Sequence, residues 1–102
     1  MIEYCLYESD LKNPDGVGWY TNGNWIDSID LTYKRKITEK SIIENAKILL
    51  EKNNCKYGCY NIDIIKGPKS IVQDSDFYEY CIGYANIKYD KEISVVSMEV
   101  VE

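Results

Sequence analysis

The sequence predicts a single α+β domain: a curved, mainly antiparallel sheet with one amphipathic helix packed on one face, in the order β-β-β-α-β-β-β. Three observations predict it. One helical period of apolar residues lies near mid-chain, alternating or β-branched runs flank it, and the C-terminal connections are short enough to join antiparallel neighbours. A chain of 102 residues is the usual size of one domain, so residues 1–102 are expected to form one unit. That length supports a hydrophobic core without disulfides or metal.

Taken in order, Ile2 to Glu8 is rich in β-branched and aromatic residues and reads as a first strand. Asn13-Pro14-Asp15-Gly16 places proline second and glycine fourth, as a type I turn prefers. Asn22-Gly23 is a strong hairpin signal, because both residues tolerate the positive φ of a type I′ turn. A turn there sets Tyr20 opposite Trp25 and Trp19 opposite Ile26, aromatic pairs that contribute roughly 0.2–1 kcal/mol each. The second arm alternates, with Ile29, Leu31 and Tyr33 on one side and Ser28, Asp30, Thr32 and Lys34 on the other.

The helix is predicted from Glu39 to Lys52. Thr38 or Ser41 caps it, Ile42, Ile43, Ala46, Leu49 and Leu50 share one face, and Asn53-Asn54 ends it. Tyr57 to Lys66 reads as a strand with Tyr60, Ile62 and Ile64 on one side, broken by Gly67-Pro68. A polar loop leads to a strand near Phe77–Tyr89, and Asp90-Lys91-Glu92 turns the chain into Ile93–Val101.

The net charge of −5 opposes non-specific binding to nucleic acid or anionic membrane, both of which need a positive field. Residues 1–33 hold six acids and one lysine, residues 34–56 seven basic and three acidic residues, and residues 57–102 eight acids and four lysines. That distribution is either dipolar in the fold or intermixed on one surface. No run approaches the ~20 apolar residues of a membrane span, and Met1-Ile2-Glu3-Tyr4-Cys5 lacks the basic start and apolar run of a signal peptide. A cytoplasmic location with reduced thiols is the expectation.

Four cysteines match the ligand count of a structural zinc, but Cys55 and Cys59 form the one close pair, and the chain has no histidine. Cys5 and Cys81 lie among apolar neighbours, where free cysteine behaves as a small core residue. The chain therefore predicts no metal site and no cofactor. Without histidine, a nucleophilic serine or cysteine lacks its usual base, so no catalytic residues are assigned and the chain is not expected to be an enzyme. Asp74-Ser75-Asp76 starts like a calcium loop but continues Phe77-Tyr78 without the glycine. Gly16-x-Gly18 lacks the third glycine of a phosphate loop. Tyr78, Tyr80, Ile82 and Tyr84 alternate along one predicted face; with acidic neighbours, the row is expected to pack under the helix rather than stack bases.

Val17 to Ile26 holds both tryptophans, Tyr20 and two glycines without a charge, between Asp15 and Asp27. Tryptophan and tyrosine rimmed by polar groups are what protein interfaces use as anchors. The site expected from sequence is thus a protein-binding surface of Trp19, Tyr20 and Trp25, with Asp15, Asp27 and Asp30 supplying complementarity. The other reading of those aromatics is a small satellite core. The partner expected is another protein with a basic surface, such as a nuclease or other nucleic-acid enzyme, occluded by a small acidic inhibitor. Immunity proteins and phage anti-defence inhibitors share this size and charge. Two alternatives stand beside it: a self-associating domain, a homodimer through an edge strand such as Ile93–Val101, and a small enzyme or ligand module using carboxylates and tyrosines.

Overall fold

The computed structural model describes residues 2–9, 22–31, 36–67 and 80–101. They form β1 (Ile2–Ser9), β2 (Asn22–Leu31), α1 (Glu39–Lys52), β3 (Gly58–Lys66), β4 (Cys81–Tyr89) and β5 (Ile93–Val100). The strands build one sheet in the order β2-β1-β3-β4-β5, every neighbour antiparallel. The Cα radius of gyration is 12.6 Å, close to the ~13 Å of a 100-residue globule. No helix of the described residues is long and apolar enough to cross a membrane.

The α+β architecture agrees with the sequence, but five strands are described where six were expected, two of them before the helix. The difference lies at the Asn22-Gly23 turn. Both residues sit inside β2, which pairs directly with β1; Trp25 faces Tyr7, and Ser9 faces Asn22. A dipeptide's turn preference is a local term, whereas this pairing sets Ile29 opposite the buried Tyr4. Burial along a whole strand outweighs the turn signal. Trp19, Tyr20 and the Asn13–Gly16 turn lie outside the described residues.

The period-2 alternation of the strands decides what is inside. Ile2, Tyr4 and Leu6 of β1, Tyr60, Ile62 and Ile64 of β3, and Ala85 and Ile87 of β4 join Ile37, Ile42, Ala46, Leu49 and Leu50 in one buried cluster under α1. Ile29, Ile93, Val95, Met98 and Val100 pack on its margin.

The helix bounds match the sequence reading, and its caps explain them. Thr38 is the N-cap: its hydroxyl accepts from the Ser41 N–H at 3.1 Å, and the Thr38 N–H donates to the Ser41 hydroxyl at 2.9 Å. This reciprocal box satisfies two donors that the first turn leaves orphaned. At the other end Asn54 takes φ 52°; its N–H donates to the Glu51 carbonyl and the Cys55 N–H to that of Leu50, a Schellman closure with asparagine in the left-handed position. Ile43, expected on the buried face, is only half-buried, and Asn45 is buried in the apolar stripe. The Asn45 amide donates to the Ser41 carbonyl at 2.7 Å.

The tyrosine row is not continuous. Ile64 pairs with Gly83 but Ile65 pairs with Cys81, so the register shifts by one residue at Ile82. Ile82 consequently packs toward the helix-side cluster, and Tyr80 toward Cys5 and Ile65 on the opposite side. Tyr84, between Asp63 and Glu99 in the register, also lies away from the helix. The expectation that the row packs under α1 is corrected by this bulge: one slipped residue moves the following side chains to the other face. Tyr78 lies outside the described residues.

Candidate interaction face

The sheet has a second face, opposite α1, and the strand register orders its side chains into rows. Asp30, Glu3, Ile65 and Cys81 form one row across β2, β1, β3 and β4. Ser28, Cys5, Asp63, Tyr84 and Glu99 form the next, and Trp25, Tyr7, Asn61, Asn86 and Ser97 the third. Lys88 and Ser94 extend the face beside Cys59. Four carboxylates, Glu3, Asp30, Asp63 and Glu99, thus share this side with one lysine.

The charges separate by face. From Lys36 to Lys56, the segment carrying α1, five lysines stand against three glutamates, a net of +2. The helix-free face has four carboxylates against Lys88, a net of −3. Glu8, Asp27 and Lys66 also take helix-side positions in the register, so that side is only weakly basic, and what the described residues show is a concentration of acids on the helix-free face.

Burial on this face is graded. Cys5, Ile65 and Asn86 are fully enclosed, and Glu3, Asn61 and Asp63 are buried. Tyr7, Ser28 and Tyr84 are half-buried, while Asp30, Lys88 and Glu99 are exposed. Trp25 is 48 % exposed, a large apolar surface on the outermost strand beside Tyr7. The Asn86 amide donates to the Ser97 hydroxyl at 2.8 Å, tying β4 to β5.

The thiols are held as neutral packing groups. Burial pushes the Cys5 thiol far above its ordinary value, with Glu3, Asp63, Asp30 and Cys81 adding to the rise. Cys81 is raised by burial first and by Asp63 next, and burial raises Cys55 as well. The nucleophile is the thiolate, so burial disfavours these three as nucleophiles. Tyr60, whose hydroxyl donates to the Lys56 carbonyl at 2.6 Å, is pushed up to about 12, by burial and then by Cys55. Among the described residues no three histidine, cysteine, aspartate or glutamate side chains are grouped to hold a metal ion.

Of the six residues nominated from sequence, the structure brings Trp25 and Asp30 onto this face and sends Asp27 elsewhere. Asp15, Trp19 and Tyr20 lie outside the described residues. Leu6 pairs with Asp27 while Tyr7 pairs with Trp25, so Ile26 is an extra residue that turns Trp25 to the outer face while Asp27 stays with Ile29 on the helix side. There its carboxylate accepts from the Ser28 N–H at 2.8 Å and the Asn53 amide at 3.0 Å, with Lys52 at 3.3 Å. Asp27 therefore fastens β2 to the end of α1.

That tether has a pH signature. The Asn53 hydrogen bond is the largest influence holding the Asp27 carboxyl below its ordinary 3.8; partial burial opposes it, and Ser28 and Lys52 reinforce it. A folded value below the unfolded one gives stability that is complete above the unfolded value and lost as pH falls through the folded one. Unfolding free energies of wild type and Asp27→Asn from urea titration are expected to differ by about 1 kcal/mol at neutral pH, and to converge as pH falls through the depressed folded value and the wild-type carboxylate takes up its proton. A difference that persisted unchanged at pH 2 would assign the effect to packing instead.

A separate cleft of about 350 Å³ opens between α1 and the β1–β2 side of the sheet, lined by Tyr4, Ile29, Lys36, Thr38, Ser41 and Ile48 among others. Three of its polar groups are committed inward: Thr38 and Ser41 to the helix cap, and Tyr4 with its hydroxyl 3.3 Å from that of Ser41. Its carboxylate, Glu44, is exposed and stands 4.0 Å from Lys40.

The sequence reading missed Glu3, Asp63 and Glu99. The signal was present: each lies between two core residues, Ile2 and Tyr4, Ile62 and Ile64, Met98 and Val100. The alternation applied to β2 would have placed all three on the outer face. Comparison with family models, with curated proteins and with solved structures finds no match to this chain.

Proposed function

We propose that this protein is a non-enzymatic binding domain that uses its helix-free face to occlude a basic surface of another protein, in the manner of an inhibitor. The observation that carries the reading is Trp25, 48 % exposed on the same acidic face as Asp30 and Glu99. A half-exposed tryptophan supplies the large rigid contact area that interfaces concentrate in a few residues, and the surrounding carboxylates attract and orient a cationic partner. The raised Cys5, Cys55 and Cys81 thiols favour the same reading, because they disfavour those three as nucleophiles. A nuclease or other nucleic-acid enzyme offers the complementary chemistry, a basic groove built for phosphates, and an immunity or anti-defence role in the cytoplasm follows from such a partner.

The test is affinity capture from the source lysate, followed by binding measurements with the purified captured protein. Trp25→Ala, checked for folding, is expected to weaken the complex about thirtyfold. Asp30→Lys is expected to slow association and flatten its salt dependence. A captured partner bound equally by wild type and both folded variants would move the binding surface off this face.

A further inference from the structure

We propose that the free edge of β5 pairs with β5 of a second copy of this chain, antiparallel about a two-fold axis between Val96 and Ser97, joining two five-stranded sheets into one. It rests on the backbone of the edge and not on the binding reading, although Ser94 and Glu99 also lie on the helix-free face. β5 is the last strand of the sheet, and among the described residues nothing pairs with its outer side. It carries one charge, Glu99, and no proline, so it lacks two of the devices that keep an edge from pairing.

Two hydrogen bonds fix which backbone groups point outward. The Val101 N–H donates to the Ile82 carbonyl at 2.7 Å, and the Asp90 N–H to the Glu92 carbonyl at 3.0 Å. In an antiparallel ladder, alternate residues turn their N–H and C=O toward a given neighbour. Stepping back by twos from Val101, Glu99 and Ser97 face β4; stepping forward from Glu92, Ser94 does so. The register shift between Asn86 and Ile87 makes Val96 the extra residue between these two phases. Ile93, Val95, Met98 and Val100 therefore turn their peptide groups away from β4, to the free edge.

These same four residues pack against the helix-side core, while Ser94, Ser97 and Glu99 lie on the other face. A two-fold axis between Val96 and Ser97 pairs Ile93 with Val100, Val95 with Met98, Ser94 with Glu99, and Val96 with Ser97. Outward peptide groups then meet outward peptide groups, and side chains of one face meet side chains of the same face. An axis through Val96 would set Ser94 against Met98, and one through Ser97 would set Val95 against Glu99, mixing the faces. The bulge is what makes the strand complementary to itself: in an unbulged strand, an axis between two residues would pair opposite faces. Both copies carry the extra residue at the axis, so their lengths agree. Each Glu99 meets a serine rather than another carboxylate.

Sedimentation over a range of concentration tests this. Wild type is expected to approach twice its 11.9 kDa mass as concentration rises. Ser94 and Glu99 are exposed, so changing them leaves the fold intact, which thermal midpoints of the dilute protein verify. Ser94→Glu sets like charges opposite each other twice per dimer and is expected to raise the dissociation constant about tenfold. The Ser94→Glu/Glu99→Lys double variant is expected to recover it, and Ser94→Lys to tighten it. A mass of 11.9 kDa at every concentration would overturn the proposal. So would a dimer indifferent to Ser94→Glu, which would place the contact on another surface, or a double variant that fails to recover.

Discussion

Ile62→Ala is expected to lower the unfolding free energy by about 3 kcal/mol, a large share of the 5–15 kcal/mol that holds a domain of this size together. Ile62 lies on the central strand, between Leu6 of β1 and Ala85 of β4, and is fully enclosed beneath α1 with Leu49 and Leu50. Ala85 has no side chain to swing into the vacated space, and the backbone of β3 is held by ladders on both sides. The removed methyl and methylene groups therefore leave a cavity, and the cavity adds to the lost transfer free energy. Urea unfolding with an unchanged slope would read the loss as stability. Ile48→Ala is the control: that side chain is 50 % exposed, so its removal is expected to cost no more than about 0.5 kcal/mol. Equal effects at the two positions would mean that the core is not packed as the sheet register requires.

Much of this core was legible in the sequence because its signals are local. The α1 bounds follow from a helical period of apolar residues, a capping threonine and an asparagine pair, all within reach of one another along the chain. The alternation of Tyr60, Ile62 and Ile64 fixed the inner side of β3 in the same way. What was not legible depends on bulges. The register shifts at Ile26, Ile82 and Val96 each reverse which side chains face α1, and no local motif marks them. The first separates Asp27 from Trp25, two positions that simple alternation would have put together. The second breaks the tyrosine row. The Asn22-Gly23 signal failed because both residues are drawn into β2, in the ladder with β1. The candidate face was half legible, through Trp25 and Asp30. Its remaining acids were hidden because isolated carboxylates between apolar residues look like ordinary surface positions until the strands are aligned.

Gly83→Ala is expected to cost about 3 kcal/mol, at the upper end for an added methyl group, because nothing near it can yield. A Cβ at Gly83 would stand 2.5 Å from the Glu99 carbonyl oxygen and 3.0 Å from the Val100 Cα. The first is closer than real Cβ atoms approach any heavy atom, and both neighbours are backbone, so no rotamer change relieves the contact. Gly83 follows the bulge at Ile82 and pairs with Val100; the glycine permits the close approach of β4 and β5 there. An alanine must push the C-terminal half of β5 outward. The loss should then be local before it is global: the Glu99 and Val101 amides, which face β4, should lose hydrogen-exchange protection while Ser94 beyond the Val96 bulge keeps more of its own. Because the same displacement moves Met98 and Val100 at the free edge, the alanine variant should also dimerise less well than wild type at concentrations where it remains folded. Stability and exchange indistinguishable from wild type would show that the two strands have room to part, and that the glycine is not what holds them at this spacing.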